Sequence, residues 1–171
     1  QLRQSTSLIV KKDAYSANWK PILFNSYAAA AANDVALAGT ILDGLSRLAT
    51  AKHYSNEKGL ISRKAAQRIV CYKNGPNSPC PSHTPRFVAR MYSNLLISAA
   101  VLQSFMTEQD RKTILPWLKT GYRKFILPEV SSDQDGIYDF ANNGMAQLAY
   151  AALAGNKALA RRELSTRKKQ F

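Results

Sequence analysis

The chain has 171 residues, 46% hydrophobic and 20% charged, an ordinary globular composition long enough for one domain with its own core. No apolar run reaches the roughly 18 to 20 residues that a membrane-spanning helix needs; the most apolar stretch, Ser93 to Phe105, is interrupted by serines and Gln103. Twenty-four Lys and Arg against 11 Asp and Glu leave a formal +13, a surface that attracts nucleic acid, acidic polysaccharide or anionic lipid headgroups, with a merely basic, partnerless surface as the plain alternative.

The chain begins at Gln1 and its first apolar cluster, Leu8 to Val10, is too short for a signal peptide. A mature exported chain reads this way, and so does a trimmed fragment. Trp19 to Ala32 is an alanine-rich helix candidate, with Pro21 tolerable in its first turn. From Asp34 to Ala51, the residues Ala38, Ile41, Leu42, Leu45, Leu48 and Ala49 recur at helical spacing and form one stripe, with Asn33 or Asp34 as N-cap.

Cys71 and Cys80 enclose Asn74-Gly75-Pro76 and Ser78-Pro79, turn formers that let the chain fold back on itself. A disulfide closing the 71–80 loop is the expectation, and it points to the periplasm or the exterior. Free thiols are the alternative; a metal site is the remotest, because the spacing is not that of a zinc knuckle and only His83 is near.

Thr84-Pro85 opens the next helix, where Val88, Met91, Tyr92, Leu95, Leu96, Ala99 and Leu102 share a face. Thr107 and Asp110 have the spacing of a capping box with Asp in place of Glu. The helix that follows turns Ile114, Leu115, Leu118, Tyr122 and Phe125 inward, and Pro116 is expected to kink it or shift its start. After the polar turn from Ser131 to Gly136 come Asn142 to Ala154 and Lys157 to Thr166, separated by the helix-ending Gly155-Asn156. No run of alternating strands is legible. The expected fold class is all-α, antiparallel helical hairpins in a single domain over residues 1–171.

Little in the sequence carries chemistry. His53 and His83 are far apart in unlike contexts and read as surface or capping residues. No Ser-His-Asp grouping, phosphate-binding glycine loop or metal-ligand cluster is present, and no cofactor is implied. What remains is Asp139-Phe-Ala-Asn142-Asn143-Gly144-Met-Ala-Gln147, read as the start of a helix. Two asparagines beside a helix N-terminus suit a carboxylate, although simple N-capping is the plainer explanation of this segment.

The order of segments is similar to the helical half of alginate lyases and related polyuronate lyases of the α/α-toroid type. The resemblance is carried by Asn33-Asp-Val-Ala-Leu-Ala-Gly-Thr-Ile-Leu-Asp-Gly-Leu, Arg90-Met-Tyr-Ser-Asn-Leu-Leu, Thr107-Glu-Gln-Asp-Arg-Lys-Thr-Ile-Leu-Pro-Trp117-Leu-Lys, and Asn142-Asn143-Gly144 followed by Leu153-Ala-Gly-Asn-Lys157. It spans most of residues 20–160 as a pattern of short motifs. It implies a partial α/α toroid, an anionic polysaccharide as partner and β-elimination as reaction. In the family the last motif is Asn-Asn-His: the asparagine helps neutralise the uronate carboxylate and the histidine takes part in abstracting the C5 proton. Asn142 and Asn143 match, whereas Gly144 stands where the histidine belongs. The base must then be another group such as Tyr122, or the protein binds without cleaving.

The family's catalytic arginine and tyrosine lie beyond this motif, so about half a toroid is expected here, with a second chain as one way to complete it. β-Elimination needs a neutralised carboxylate, a base and an acid, and Arg86, Arg90, Lys119, Arg123 and Lys124 supply cations that could line an anionic groove. A solvated basic face explains these cations equally well. Trp117 offers a ring for a sugar or for the core. The competing expectations are a helical nucleic-acid-binding protein, favoured by Arg161-Arg162 and Arg167-Lys168-Lys169, and a non-catalytic helical subunit of an assembly.

Overall fold

The computed structural model describes residues 19–50, 83–128 and 137–168. They form six helices: α1 Trp19–Ala32, α2 Val35–Thr50, α3 His83–Val101, α4 Glu108–Gly121, α5 Ile137–Leu153 and α6 Lys157–Lys168. A 3₁₀ turn, Gln103–Phe105, joins α3 to α4, and α4 runs on into a π-turn, Tyr122–Ile126. Among the described residues there is no strand, and no helix is long and apolar enough to cross a membrane.

Helix α3 is central. Every residue from Met91 to Ala99 is buried, so this helix is enclosed on all sides rather than along one stripe. Against it pack α1, α5 and the π-turn. Alternate helices therefore meet: α1 on α3, α3 on α5, and in a second set α2 on α4. Small residues, Ala89, Ser93 and Ala99 on α3 and Ala146 and Ala149 on α5, are buried between the large ones and let the backbones come close. The expected stripe of α2, Ala38, Ile41, Leu42, Leu45, Leu48 and Ala49, is buried throughout.

Two hairpins are closed by one device. At the end of α1, Asn33 adopts φ 51°, and the N–H of Asp34 donates to the Ala29 carbonyl at 2.8 Å. The end of α5 repeats this with Gly155 at φ 62° and the N–H of Asn156 donating to Ala151 at 2.8 Å. Both are left-handed helix stops. Each is followed at once by a side-chain cap: Asp34 Oδ1 accepts from the Leu37 N–H at 2.9 Å, and Asn156 Oδ1 from the Leu159 N–H at 3.0 Å. The segments Asn33-Asp-Val-Ala-Leu-Ala38 and Gly155-Asn-Lys-Ala-Leu-Ala160 thus share Ala-Leu-Ala after the turn and the same hydrogen bonding.

Helix α4 starts where the capping box places it. Thr107 Oγ1 accepts from the Asp110 N–H at 3.1 Å, and Asp110 Oδ2 accepts from the Thr107 N–H at 3.0 Å. Asp110 Oδ1 also accepts from Ser46 Oγ at 3.1 Å, which ties the start of α4 to α2. Pro116 does not shift that start: it lies inside α4 with its ring exposed.

The start of α5 corrects an expectation. The helix begins at Ile137, ahead of Asn142, so Asn142 and Asn143 lie in its second turn rather than beside its N-terminus. The apolar spacing Ile137, Phe140 and Ala141 carries the helical period forward and outweighs the weak helix preference of two asparagines. An anion cradle built from the first N–H groups of α5 is therefore not formed around these two positions.

Candidate functional site

The expected site residues fall into three groups. Trp117 and Tyr122 are core residues, 6% and 4% exposed. Lys119, Arg123 and Lys124 are exposed on the second half of α4 and the π-turn, and Arg90 is half-buried on α3. Arg86, Asn142 and Asn143 lie on α3 and α5, but their side chains, like Cys71 and Cys80 and the loop they bound, are outside the described residues.

Trp117 owes its burial to the aromatic packing around Tyr92, which is fully enclosed. The Tyr92 ring lies 5.6 Å from Trp117 at a tilt of 52° and stacks on Phe125 at 5.5 Å and 14°. Gly121 makes this possible, because a Cβ there would be driven into the Tyr92 ring. Trp117 thus offers its area to the core.

Tyr122 stands in a buried polar cluster where the π-turn meets α5 and α6. Its ring stacks on Tyr150 with centroids 3.9 Å apart and planes within 6°. Beside them Gln147 Nε2 donates to the Glu163 carboxylate at 3.0 Å, and Arg162 Nε lies 3.5 Å from that carboxylate. Glu163 is 6% exposed, an unusual place for a charged group unless it is hydrogen-bonded. Burial pushes the Tyr122 phenol above its ordinary pKa; the Glu163 charge and Tyr150 add to this, and Arg162 opposes it. At neutral pH Tyr122 is therefore a proton-holding phenol, suited to donating a hydrogen bond rather than to acting as a base.

Next to this cluster, between α3, α4 and α5, lies a groove of about 410 Å³. Leu96, Leu115, Leu118 and Leu153 line it, together with Tyr150, and Arg111 and Lys119 supply its charges. Arg111 is half-buried and donates from Nη2 to the Gln103 carbonyl at 2.7 Å. Among the described residues no acidic one lines the groove.

Of the residues that line the groove, Lys119 was among the candidates expected from the sequence, and Arg111 and Tyr150 were not. Arg111, Leu115 and Lys119 recur at i, i+4 and i+8, a spacing that puts them on one face of α4. Position 143 is about two helical turns, roughly 10 Å, before Tyr150 on α5, and among the described residues of α5 the groove's lining is Tyr150 and Leu153. Among the described residues no group of three or more His, Cys, Asp or Glu could hold a metal ion. A scan against protein-family models and searches of curated proteins and of solved structures each returned no match to this chain.

Proposed function

We propose that this chain is a polyuronate-lyase-like protein that holds an anionic polysaccharide of the alginate kind across the basic face of α4 and its π-turn. The observation that carries the reading is the repeated hairpin: two turns alike in bonding and followed by the same Ala-Leu-Ala, in an array where alternate helices pack together. That is how α/α toroids are built. The exposed Lys119, Arg123 and Lys124 provide the charge for a polyanion. Phe24 and Tyr27 are 70% and 43% exposed on α1, as at the open end of an array that further helices or a second chain would complete. Export to the periplasm or the exterior accompanies this reading, with Cys71 and Cys80 as its disulfide.

The test is an ultraviolet assay for unsaturated uronate ends on alginate, polyglucuronate, pectate and hyaluronan, run beside a DNA-binding control. New absorbance that is lost in Asn143→Ala makes the protein a lyase and Asn143 part of its machinery. Binding without new absorbance makes it a carbohydrate-binding protein, consistent with Gly144 where the family has histidine. DNA binding with silence on every sugar replaces the reading with the nucleic-acid one, which the exposed Arg161 and Arg162 on α6 favour.

A further inference from the structure

We infer that the groove between α3, α4 and α5 is a binding site for a small amphiphilic organic anion: an apolar body on the leucines, an acid group on Arg111. The groove shares Lys119 with the polysaccharide-binding face, but the inference rests on Arg111 and the leucines and stands without that reading.

Three observations converge on this class of ligand. The groove's volume, about 410 Å³, suits one small molecule and falls at the lower end of the range of such pockets, roughly 300 to 1,000 Å³. Its floor is Leu96 and Leu118, both buried, flanked by the half-buried Leu115 and Leu153 and by the Tyr150 ring, a surface that gains by covering apolar carbon. Among the described residues its charges are two cations, Arg111 and Lys119.

Those cations are differently placed from their neighbours. Arg47, Lys112 and Arg162 each face a carboxylate, of Asp43, Glu108 and Glu163 respectively. Among the described residues neither Arg111 nor Lys119 has such a partner, and both line the groove. Arg111 is also preorganised: its bond to the Gln103 carbonyl holds the guanidinium in place and leaves other N–H donors for an anion. Lys119 is exposed, about two helical turns or roughly 12 Å along α4 from Arg111, and serves to attract the anion rather than to fix it. A neutral ligand would leave both charges unanswered, and a cationic one would be repelled.

Calorimetric titration with decanoate, decanol and decyltrimethylammonium tests the assignment on the whole chain. Decanoate should bind at one molecule per chain, about tenfold or more tighter than decanol, because a charge-assisted hydrogen bond is at stake. Decyltrimethylammonium should not bind. Arg111→Gln should weaken decanoate by about tenfold and leave decanol unchanged, with Arg111→Lys recovering part of the loss. Lys119→Gln should cost about two- to threefold, and only at low salt. Leu115→Asp, at a half-buried position, should abolish decanoate binding, with helical circular dichroism used to check that each variant is folded. Equal affinity for decanoate and decanol, indifference to Arg111→Gln, or a groove that takes an oligouronate but no decanoate would each overturn the inference.

Discussion

Gly121 shows how much one atom decides in this core. The Tyr92 ring occupies the space a Cβ would need, and it cannot turn away because Phe125 and Trp117 bracket it and it is fully buried. In an isolated helix Gly→Ala gains up to about 1 kcal/mol; here overpacking outweighs that gain. Gly121→Ala should lower stability by about 1 to 3 kcal/mol, read from the midpoint of urea unfolding. A neutral result would mean that the ring stack moves freely. Tyr122, one residue on, makes a different prediction through its ionisation. Its folded pKa is raised, so its contribution to stability is complete below the unfolded tyrosine value of about 10 and is lost as pH rises through the folded value. Unfolding midpoints followed into alkaline solution should fall more steeply for the wild type than for Tyr122→Phe. Parallel curves would show that the phenol is not held neutral by its surroundings.

At the scale of elements, the helices were legible because each one's apolar residues recur at 3.6-residue spacing, and α2 buries the very stripe its sequence displays. The turns were legible in part: Asn33-Asp34 was expected to cap a helix and Gly155-Asn156 to end one, and each pair does both. The start of α5 was not, since Asn142-Asn143 looks like a cap and only the apolar residues before it outweigh that signal. A paired prediction follows from the two helix stops. Asn33 pays a small strain for its positive φ, whereas Gly155 does not. Asn33→Gly should be neutral or stabilising and Gly155→Ala destabilising by about 1 kcal/mol, because nothing obstructs a Cβ at 155 and only backbone strain remains. The same loss in both variants would mean that the stops are not equivalent. The capping box of α4 adds a pH test. Burial raises the Asp110 pKa, but hydrogen bonds from the Thr107 hydroxyl and backbone and from Ser46 outweigh it, and the folded value is lowered. Its stabilisation is therefore present above the unfolded carboxylate value, about 4, and is lost as pH falls through the folded one. Asp110→Ala should cost about 1 kcal/mol at neutral pH and progressively less in acid, whereas Thr107→Ala should also lose stability but keep more of it in acid than the wild type's own slope would suggest. A pH-independent cost for Asp110→Ala would refute the carboxylate's role.

Across the whole molecule, part of the candidate site follows from symmetry that the turn imposes. Gln147 and Glu163 lie eight residues on either side of Gly155, so an antiparallel hairpin centred there sets them opposite each other, and they are hydrogen-bonded. The Ser46–Asp110 bond had no such guide, because the contact joins helices on either side of a long intervening segment. The groove was equally hidden: α4 displays Arg111, Leu115 and Lys119 on one face, but only the arrival of α3 and α5 turns that face into a concavity. Charge, by contrast, is a property of the chain as a whole and needs no contact to act. With a formal +13, association with any polyanion should release counterions, so the logarithm of the affinity should fall linearly with the logarithm of salt concentration. The slope counts the charges engaged. If the exposed cations of α4 and the π-turn form the contact surface, replacing Lys119, Arg123 and Lys124 together with Gln should flatten that slope by about 2 to 3 charges, whereas replacing Arg161 and Arg162 should leave it unchanged. The reverse pattern, measured by titrating the same polymer at several salt concentrations, would move the binding surface to α6, and an equal loss from both sets would mean that the polyanion samples the basic surface without a preferred face.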